Sequence, residues 1–233
     1  MEKVLYLYCT IKIYTFICEL MNLFIGIDPS INSTGMCIQF YNNDLTERVK
    51  DDKFYIIRGN KLTKREKKAE QENAQLFEYV LYDKIETKES ENNHEFEKIK
   101  TENFIKIVDC VYNIVYNNYE YCDNPEDPVL NIWICQEGIS YGSTLRTKSI
   151  FDLAGLNYML RMKFMQNDSN LTYIVGTPGE IKKFATGAGN ANKDLIISVF
   201  KNIYPNLTLP KVDDIADAYF MASYARYLYE KQY

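Results

Sequence analysis

Histidine is nearly absent from this sequence. His94 is the single one, inside the charged stretch KESENNHEFEK. That excludes a zinc site built on several imidazoles, and it excludes a Ser-His-Asp triad anywhere away from residue 94. In such company His94 reads as a solvated surface residue. The six cysteines, at positions 9, 18, 37, 110, 122 and 135, include no CxxC pair. A secretion signal is missing too, because the first residues lack a basic start and a small-residue cleavage site. The expectation is free thiols in a reducing, intracellular compartment. A positive net charge is also lacking: 27 Lys and Arg face 32 Asp and Glu, a formal charge of −5. That argues against a simple basic nucleic-acid binder. The most apolar stretch, MEKVLYLYCTIKIYTFICEL, is interrupted by Lys12 and Glu19 and is too broken to span a bilayer. With no histidine to spare, any catalysis must rest on carboxylates, lysines or a metal held by oxygen.

What is present is an ordinary globular composition, 46% hydrophobic and 25% charged over 233 residues. That length supports one sizeable core. The acidity is local. Residues Glu78 to Asp127 hold 13 acidic and 5 basic residues, and the remainder of the chain is mildly basic. Met21 opens the strand-like MNLFIGID, so residues 1–20 are expected to be an extension outside the core, with an added strand as the competing reading. Residues 21–233 are then a single domain.

Three stretches, 22–28, GMCIQFY and KFYIIRG, read as strands at the short spacing of an antiparallel meander. TKREKKAEQENAQLFEYVLYDKI reads as a charged helix and ETKESENNHE as a polar break. Together they are expected to form an acidic helical insertion at about 63–103. FEKIKTENFIKIVDCVYNIVYNNY has a helical apolar period, VLNIWICQEG is a buried strand, and the segment from about Arg146 to Met165 is a helix apolar on nearly every side. LTYIVGTP is a fifth strand. GEIKKFATGAGNANKDLIISVFKNIY gives two helices around a glycine loop, in which Asn190 is the expected N-cap of the second. KVDDIADAYFMASYARYLYEK closes the chain as a helix. The alternation indicates one α/β domain.

Four carboxylates occupy special places. Asp28 and Glu137 each end an apolar strand, and sites in open α/β sheets form at the carboxyl ends of strands. If those strands are parallel neighbours, about 4.8 Å apart, both acids face one small volume. Asp214 and Asp217, spaced i, i+3 on the last helix, share one face. Asp213 points about 100° away by the helical period and stands outside the set. Four carboxylates near one point repel unless protons or cations neutralise them. Oxygen-only ligands favour Mg²⁺, with Mn²⁺ as a substitute. Two such ions per site suit in-line phosphoryl displacement without histidine.

The motifs GIDPSINSTG, ICQEG, KKFATGAGNANK and DDIADAYFMA, in that order, resemble the RuvC family of Holliday-junction resolvases, especially its phage and viral branch. The resemblance covers roughly residues 22–60 and 104–228. It implies an RNase H-like fold: a central mixed five-stranded sheet, three strands antiparallel and then two parallel, flanked by helices. It implies a divalent-metal-dependent endodeoxyribonuclease that cuts four-way DNA junctions as a homodimer in recombination, repair or viral genome processing. Asp28, Glu137, Asp214 and Asp217 match the family's metal-binding acids. Lys193 matches a lysine near its active site, and Lys182 one that contacts DNA. The matching location is the cytoplasm of a prokaryote or of a virus-infected cell. The N-terminal extension and the acidic insertion depart from the family's pattern.

Further candidate DNA contacts are Arg146, Lys148, Arg161, Lys163 and Lys183, with Tyr141 as a base-stacking residue. The helix at 146–165 is the expected dimer interface. Ile150, Leu153, Leu156, Tyr158, Leu160 and Phe164 spread around it, more apolar surface than one sheet covers. The alternative readings are an RNase H-like nuclease of flaps, forks or RNA–DNA hybrids, a sugar kinase or actin-like ATPase, and a non-catalytic junction binder. The kinase reading needs two domains with two phosphate loops, and one such loop is found. The binder reading fits poorly with all four acids being present.

Overall fold

The computed structural model describes residues 21–86, 92–122, 129–139, 147–167 and 171–232. In chain order the strands are β1 (Met21–Asp28), β2 (Thr34–Asn42), β3 (Arg48–Gly59), β4 (Phe77–Tyr82), β5 (Val129–Glu137) and β6 (Leu171–Gly176). The helices are α1 (Lys64–Glu72), α2 (Asn93–Cys122), α3 (Thr147–Asn167), α4 (Pro178–Thr186), α5 (Lys193–Ile203) and α6 (Val212–Glu230). The strands form one sheet in the order β4-β3-β2-β1-β5-β6. β1, β2 and β3 are the antiparallel meander, and β5 and β6 run parallel to β1. The expected five-stranded mixed sheet is therefore present.

A sixth strand is added at the edge, where β4 pairs parallel with β3. The sequence FEYVLY, expected to be the tail of a charged helix, is this strand. Its burial alternates, with Phe77 and Tyr79 inward and Glu78 outward. The expected insertion is thus a helix followed by a strand. Its last residues are the first turns of α2, which starts at Asn93. His94 is exposed, as expected. The expected extension at residues 1–20 lies outside the described residues.

Two layers cover the sheet, and strand alternation assigns each residue to one of them. Phe24 faces α6 together with Cys37, Phe54, Trp133 and Cys135. Leu23, Ile25 and Ile27 face α2 and α3, against Val108, Val111, Leu156 and Leu160. β1 is buried along its length except at Asp28. That is why it reads as a continuous apolar run rather than an alternating one.

The helix α6 lies directly on the sheet. A Cβ built on Gly26 would stand 1.8 Å from the carbonyl oxygen of Ala218, and one on Gly35 would stand 2.4 Å from that of Asp214. Only glycine admits this approach at either position. Alanines at 216, 218, 222 and 225 are buried on the helix side. Across the sheet, Gln136 at the end of β5 is fully buried. It donates to Asn157 of α3 and accepts from the Tyr173 hydroxyl of β6, while Asn157 donates to the Leu153 carbonyl at 2.9 Å. The satisfied network pins the end of β5 from below.

On α3, Leu156, Leu160 and Phe164 turn into the core. Phe151, Tyr158, Met162 and Met165 turn outward, with 70%, 61%, 55% and 62% of their surface exposed. Cys37, Cys110 and Cys135 are free thiols. Among the described residues no helix is long and apolar enough to cross a membrane.

Candidate active site

Strand parity decides where the acids go. Phe24, Gly26 and Asp28 share a face of β1, and Trp133, Cys135 and Glu137 share the same face of β5. The two strands are paired parallel as far as Ile27 and Gln136. Asp28 and Glu137 therefore emerge side by side under the first turns of α6. Gly35, opposite Asp28 on β2, lets the backbone of Asp214 descend onto the sheet. Asp214 and Asp217 then look down on the strand ends.

The electrostatics show that the four acids act on one another. Burial holds the Asp28 carboxyl well above the usual carboxylate range, and Glu137, Asp217 and Asp214 push it further. Burial, helped by Asp217, lifts Glu137 to about 7. Burial, with Asp213 and Asp214, lifts Asp217 to about 6. Asp214 is also raised by burial, and the Ser33 hydroxyl, donating to its Oδ2 at 2.8 Å, works against the rise. Three cations oppose the cluster: Lys193 acts on all four acids, Lys182 acts on Glu137 and Asp217, and Lys211 acts on Asp214. They leave the buried acids under-neutralised.

The lysines are placed by helix capping. Thr177 and Glu180 form a capping box that starts α4, with Pro178 in its first turn. α4 ends at Gly187, whose φ of 82° suits glycine, and Lys182 lies on its last turns. The cap of α5 is Asn192, whose side chain accepts from the Leu195 amide at 2.9 Å, so Lys193 is its first residue. The expectation of Asn190 as the cap is corrected. Ala188 to Ala191 close a turn of their own, with a 3.1 Å bond from the Ala191 amide to the Ala188 carbonyl, before the helix begins. Gly189 packs against Gly179, whose carbonyl oxygen would meet a Cβ at 3.1 Å.

Two residues in the site stand outside the set read from the sequence. Asp213 accepts an ion pair from Lys193 at 2.5 Å and holds that ammonium at the rim of the cluster. Ser33 comes from the PSINSTG turn and is 3% exposed. The turn chemistry of that segment was visible, but the partner lies 181 residues away.

Other expected contacts are distributed differently. Lys183 is exposed on α4. Arg161 and Lys163 lie in the opposite layer: Lys163 pairs with Asp109 of α2 at 2.9 Å, and Arg161 covers the Tyr158 ring. They do not join the site, because α3 packs on the far side of the sheet. Arg146 and Tyr141 lie outside the described residues, as does the side chain of Lys148.

The donor set is entirely carboxylate oxygen, buried and short of positive charge, which fits a hard divalent cation such as Mg²⁺. Among the described residues, no three acidic, thiol or imidazole side chains stand close enough to enclose an ion as placed. A bound ion would have to draw the carboxylates inward.

No protein-family profile and no curated protein matches this sequence. Solved structures do match. The Thermus thermophilus RuvC structure aligns at 15% identity and a TM-score of 0.46, over 91% of this chain and 96% of that one. RuvC from the same organism in complex with Holliday junction substrate aligns at 11% and 0.45, over 91% and 96%. The yeast mitochondrial Holliday junction resolvase Ydc2 aligns at 14% and 0.47, over 92% and 82%. The fold and the site are read from this chain's own strands and side chains.

Proposed function

We propose that the chain is a divalent-metal-dependent endonuclease that resolves four-way DNA junctions. The observation that supports this is the convergence of Asp28, Glu137, Asp214 and Asp217 at one end of the sheet, with Asp28 pushed far above its ordinary protonation range. A fold does not maintain such repulsion for stability, because uncompensated buried charge is costly. Asp28, Glu137, Asp214 and Asp217 would hold the metal. When bound, two Mg²⁺ ions supply electrostatic stabilisation of the attacking and leaving oxygens in phosphodiester hydrolysis.

The chain's own residues do the rest. Lys193, at the rim, meets a phosphate oxygen and stabilises the charge that develops there. Lys182 holds a flanking phosphate. Asp213 orients the Lys193 ammonium before substrate arrives, and Ser33 fixes the Asp214 carboxylate through the hydrogen bond to its Oδ2. The junction as substrate rests on the resemblance of the four motifs to the resolvases.

Resolving a junction takes two cuts related by a two-fold axis, and among the described residues one chain carries one such carboxylate cluster. We infer a symmetric dimer through the outward stripe of α3, Phe151, Tyr158, Met162 and Met165. Tyr158→Glu with Met162→Glu should turn a dimer into a monomer by sedimentation. An unchanged sedimentation coefficient contradicts that interface.

The test of the function is incubation of the protein with Mg²⁺ and, in parallel, a four-way junction, a flap, an RNA–DNA hybrid and linear duplex. Paired nicks in opposing strands of the junction are expected. Cleavage of hybrid or flap in preference to junction would move the reading to an RNase H-like nuclease, and absence of cleavage would overturn it.

A further inference from the structure

The segment that adds β4 to the sheet also brings charge to the site. β1, β3 and β4 all run in the same direction. The loop after β3 and the start of α1 therefore lie at the same end of the sheet as Asp28. α1 sits in the same layer as α6, since Ala69 packs into that core.

Composition hides how basic this helix is. Its acids are turned inward or paired. Glu66 is buried, bonded to Arg58 and to the Thr63 hydroxyl and amide in a capping box. Glu70 accepts from the Tyr79 amide at 2.8 Å. Glu72 pairs with Lys68 at 3.5 Å. The 3.6-residue period puts Glu66, Ala69 and Glu70 on the inner face and Lys64, Lys67 and Lys68 on the outer one. Lys61, Lys64, Arg65 and Lys67 are all exposed, and no acid pairs with them among the described residues. Lys211 continues the strip. It acts on Glu66 of α1, and its ammonium lies 3.7 Å from Asp214. Positive charge thus runs from the sheet edge to the carboxylates. Three strand spacings, about 14 Å, separate β4 from β1.

We propose that Lys61, Lys64, Arg65 and Lys67 form a track for the phosphate backbone of one duplex arm, guiding it into the site past Lys211. This rests on the nuclease reading above and adds a contact surface in a segment outside the stretches that resemble the resolvases. The occupant is duplex DNA, because a row of exposed cations, with Leu81 beside Lys61 as an exposed apolar neighbour, reads backbone charge more than bases or an apolar peptide face.

The test is binding of a fluorescent four-way junction in EDTA across a salt series, for the wild type and two variants. Lys64→Ala/Arg65→Ala/Lys67→Ala should raise Kd at least about tenfold and reduce the slope of log K against log salt by about 2 to 3, at roughly 0.9 per phosphate contact. Glu72→Gln, which releases Lys68, should tighten binding by a few fold, a gain that misfolding cannot mimic. Unchanged Kd and slope in the triple variant overturn the track. So does a triple variant that keeps DNA binding but loses binding to poly-glutamate, which would make the surface a protein site. If the wild type neither binds nor cuts DNA, the nuclease reading fails first and the track with it.

Discussion

Two aspartates on the same face of one sheet, Asp52 buried and Asp28 partly buried, are treated in opposite ways. Asp52 lies on β3, at the end away from the carboxylate cluster, and is 1% exposed. Burial raises its pKa, but Arg48 pairs with it at 3.0 Å and the Tyr204 hydroxyl donates to it. Arg48 in turn donates to the hydroxyls of Tyr41, Tyr204 and Tyr219. Asp28, at the other end, is surrounded by three further acids and opposed by Lys193. Where the fold needs only to bury a charge, it supplies an ion-pair partner and a hydroxyl donor at one carboxylate oxygen, Oδ2 of Asp52, while Oδ1 has no hydrogen-bond partner among the described residues. Where acids are gathered without enough counter-charge, the arrangement favours a bound cation.

The largest expected effect breaks the comparison at Asp28. Asp28→Asn or Glu137→Gln should lower junction cleavage by about a thousandfold, because several kcal/mol of transition-state stabilisation are lost. Gel-shift binding of the junction should persist. Cleavage within about threefold of wild type would remove these residues from the metal site.

Next comes Arg48→Met, which strands the buried Asp52. Removing one partner of a buried pair costs about 3 kcal/mol, at the low end of the usual range because Arg48 is partly exposed. Urea denaturation should show the loss, and Asp52→Leu added to Arg48→Met should recover most of it. No recovery would mean that Arg48 acts through its tyrosine contacts instead.

The third prediction concerns pH in metal-free protein. Asp28, Glu137 and Asp217 all have folded-state pKa values raised above their unfolded ones, the last two to about 7 and about 6. Raised carboxyl values mean the folded state holds protons that the unfolded state has released. Their stabilisation is complete below about pH 4 and is lost as pH rises through about 7. Melting temperature in EDTA should fall across that window, and Asp28→Asn should flatten the fall. An equal slope in both proteins would show that Asp28 is not part of the coupling.

The smallest effect belongs to Asp213. Asp213→Asn should lower kcat about tenfold with little change in KM, and Asp213→Glu should restore most of it. A loss confined to melting temperature would make the Lys193 pair merely structural.

The central acids were legible because each sits at a place local pattern defines: Asp28 and Glu137 at the ends of apolar runs, and Asp214 and Asp217 on one helical face. Ser33 and Asp213 were not legible, because their roles depend on where α6 comes to rest, which Gly26 and Gly35 decide. β4 was hidden by the charged helix before it, since a six-residue alternation is a weak signal beside a long polar one. Arg161 and Lys163 read as DNA contacts in sequence, and packing of α3 against α2 sets them in the layer opposite the carboxylate cluster. The charge of α1 was masked for a different reason. Composition counts Glu66 and Glu70 as surface acids, while the fold turns both inward.

The most direct test of the proposal that the carboxylate cluster binds a divalent cation is thermal denaturation of wild type and Asp28→Asn, each in EDTA and in excess Mg²⁺. The account predicts that in EDTA Asp28→Asn melts higher than wild type, at roughly 3 °C per kcal/mol of relieved repulsion. It also predicts that Mg²⁺ raises the wild type and leaves the variant nearly unmoved. A variant that melts lower than wild type in EDTA, with Mg²⁺ shifting both proteins equally, would contradict it.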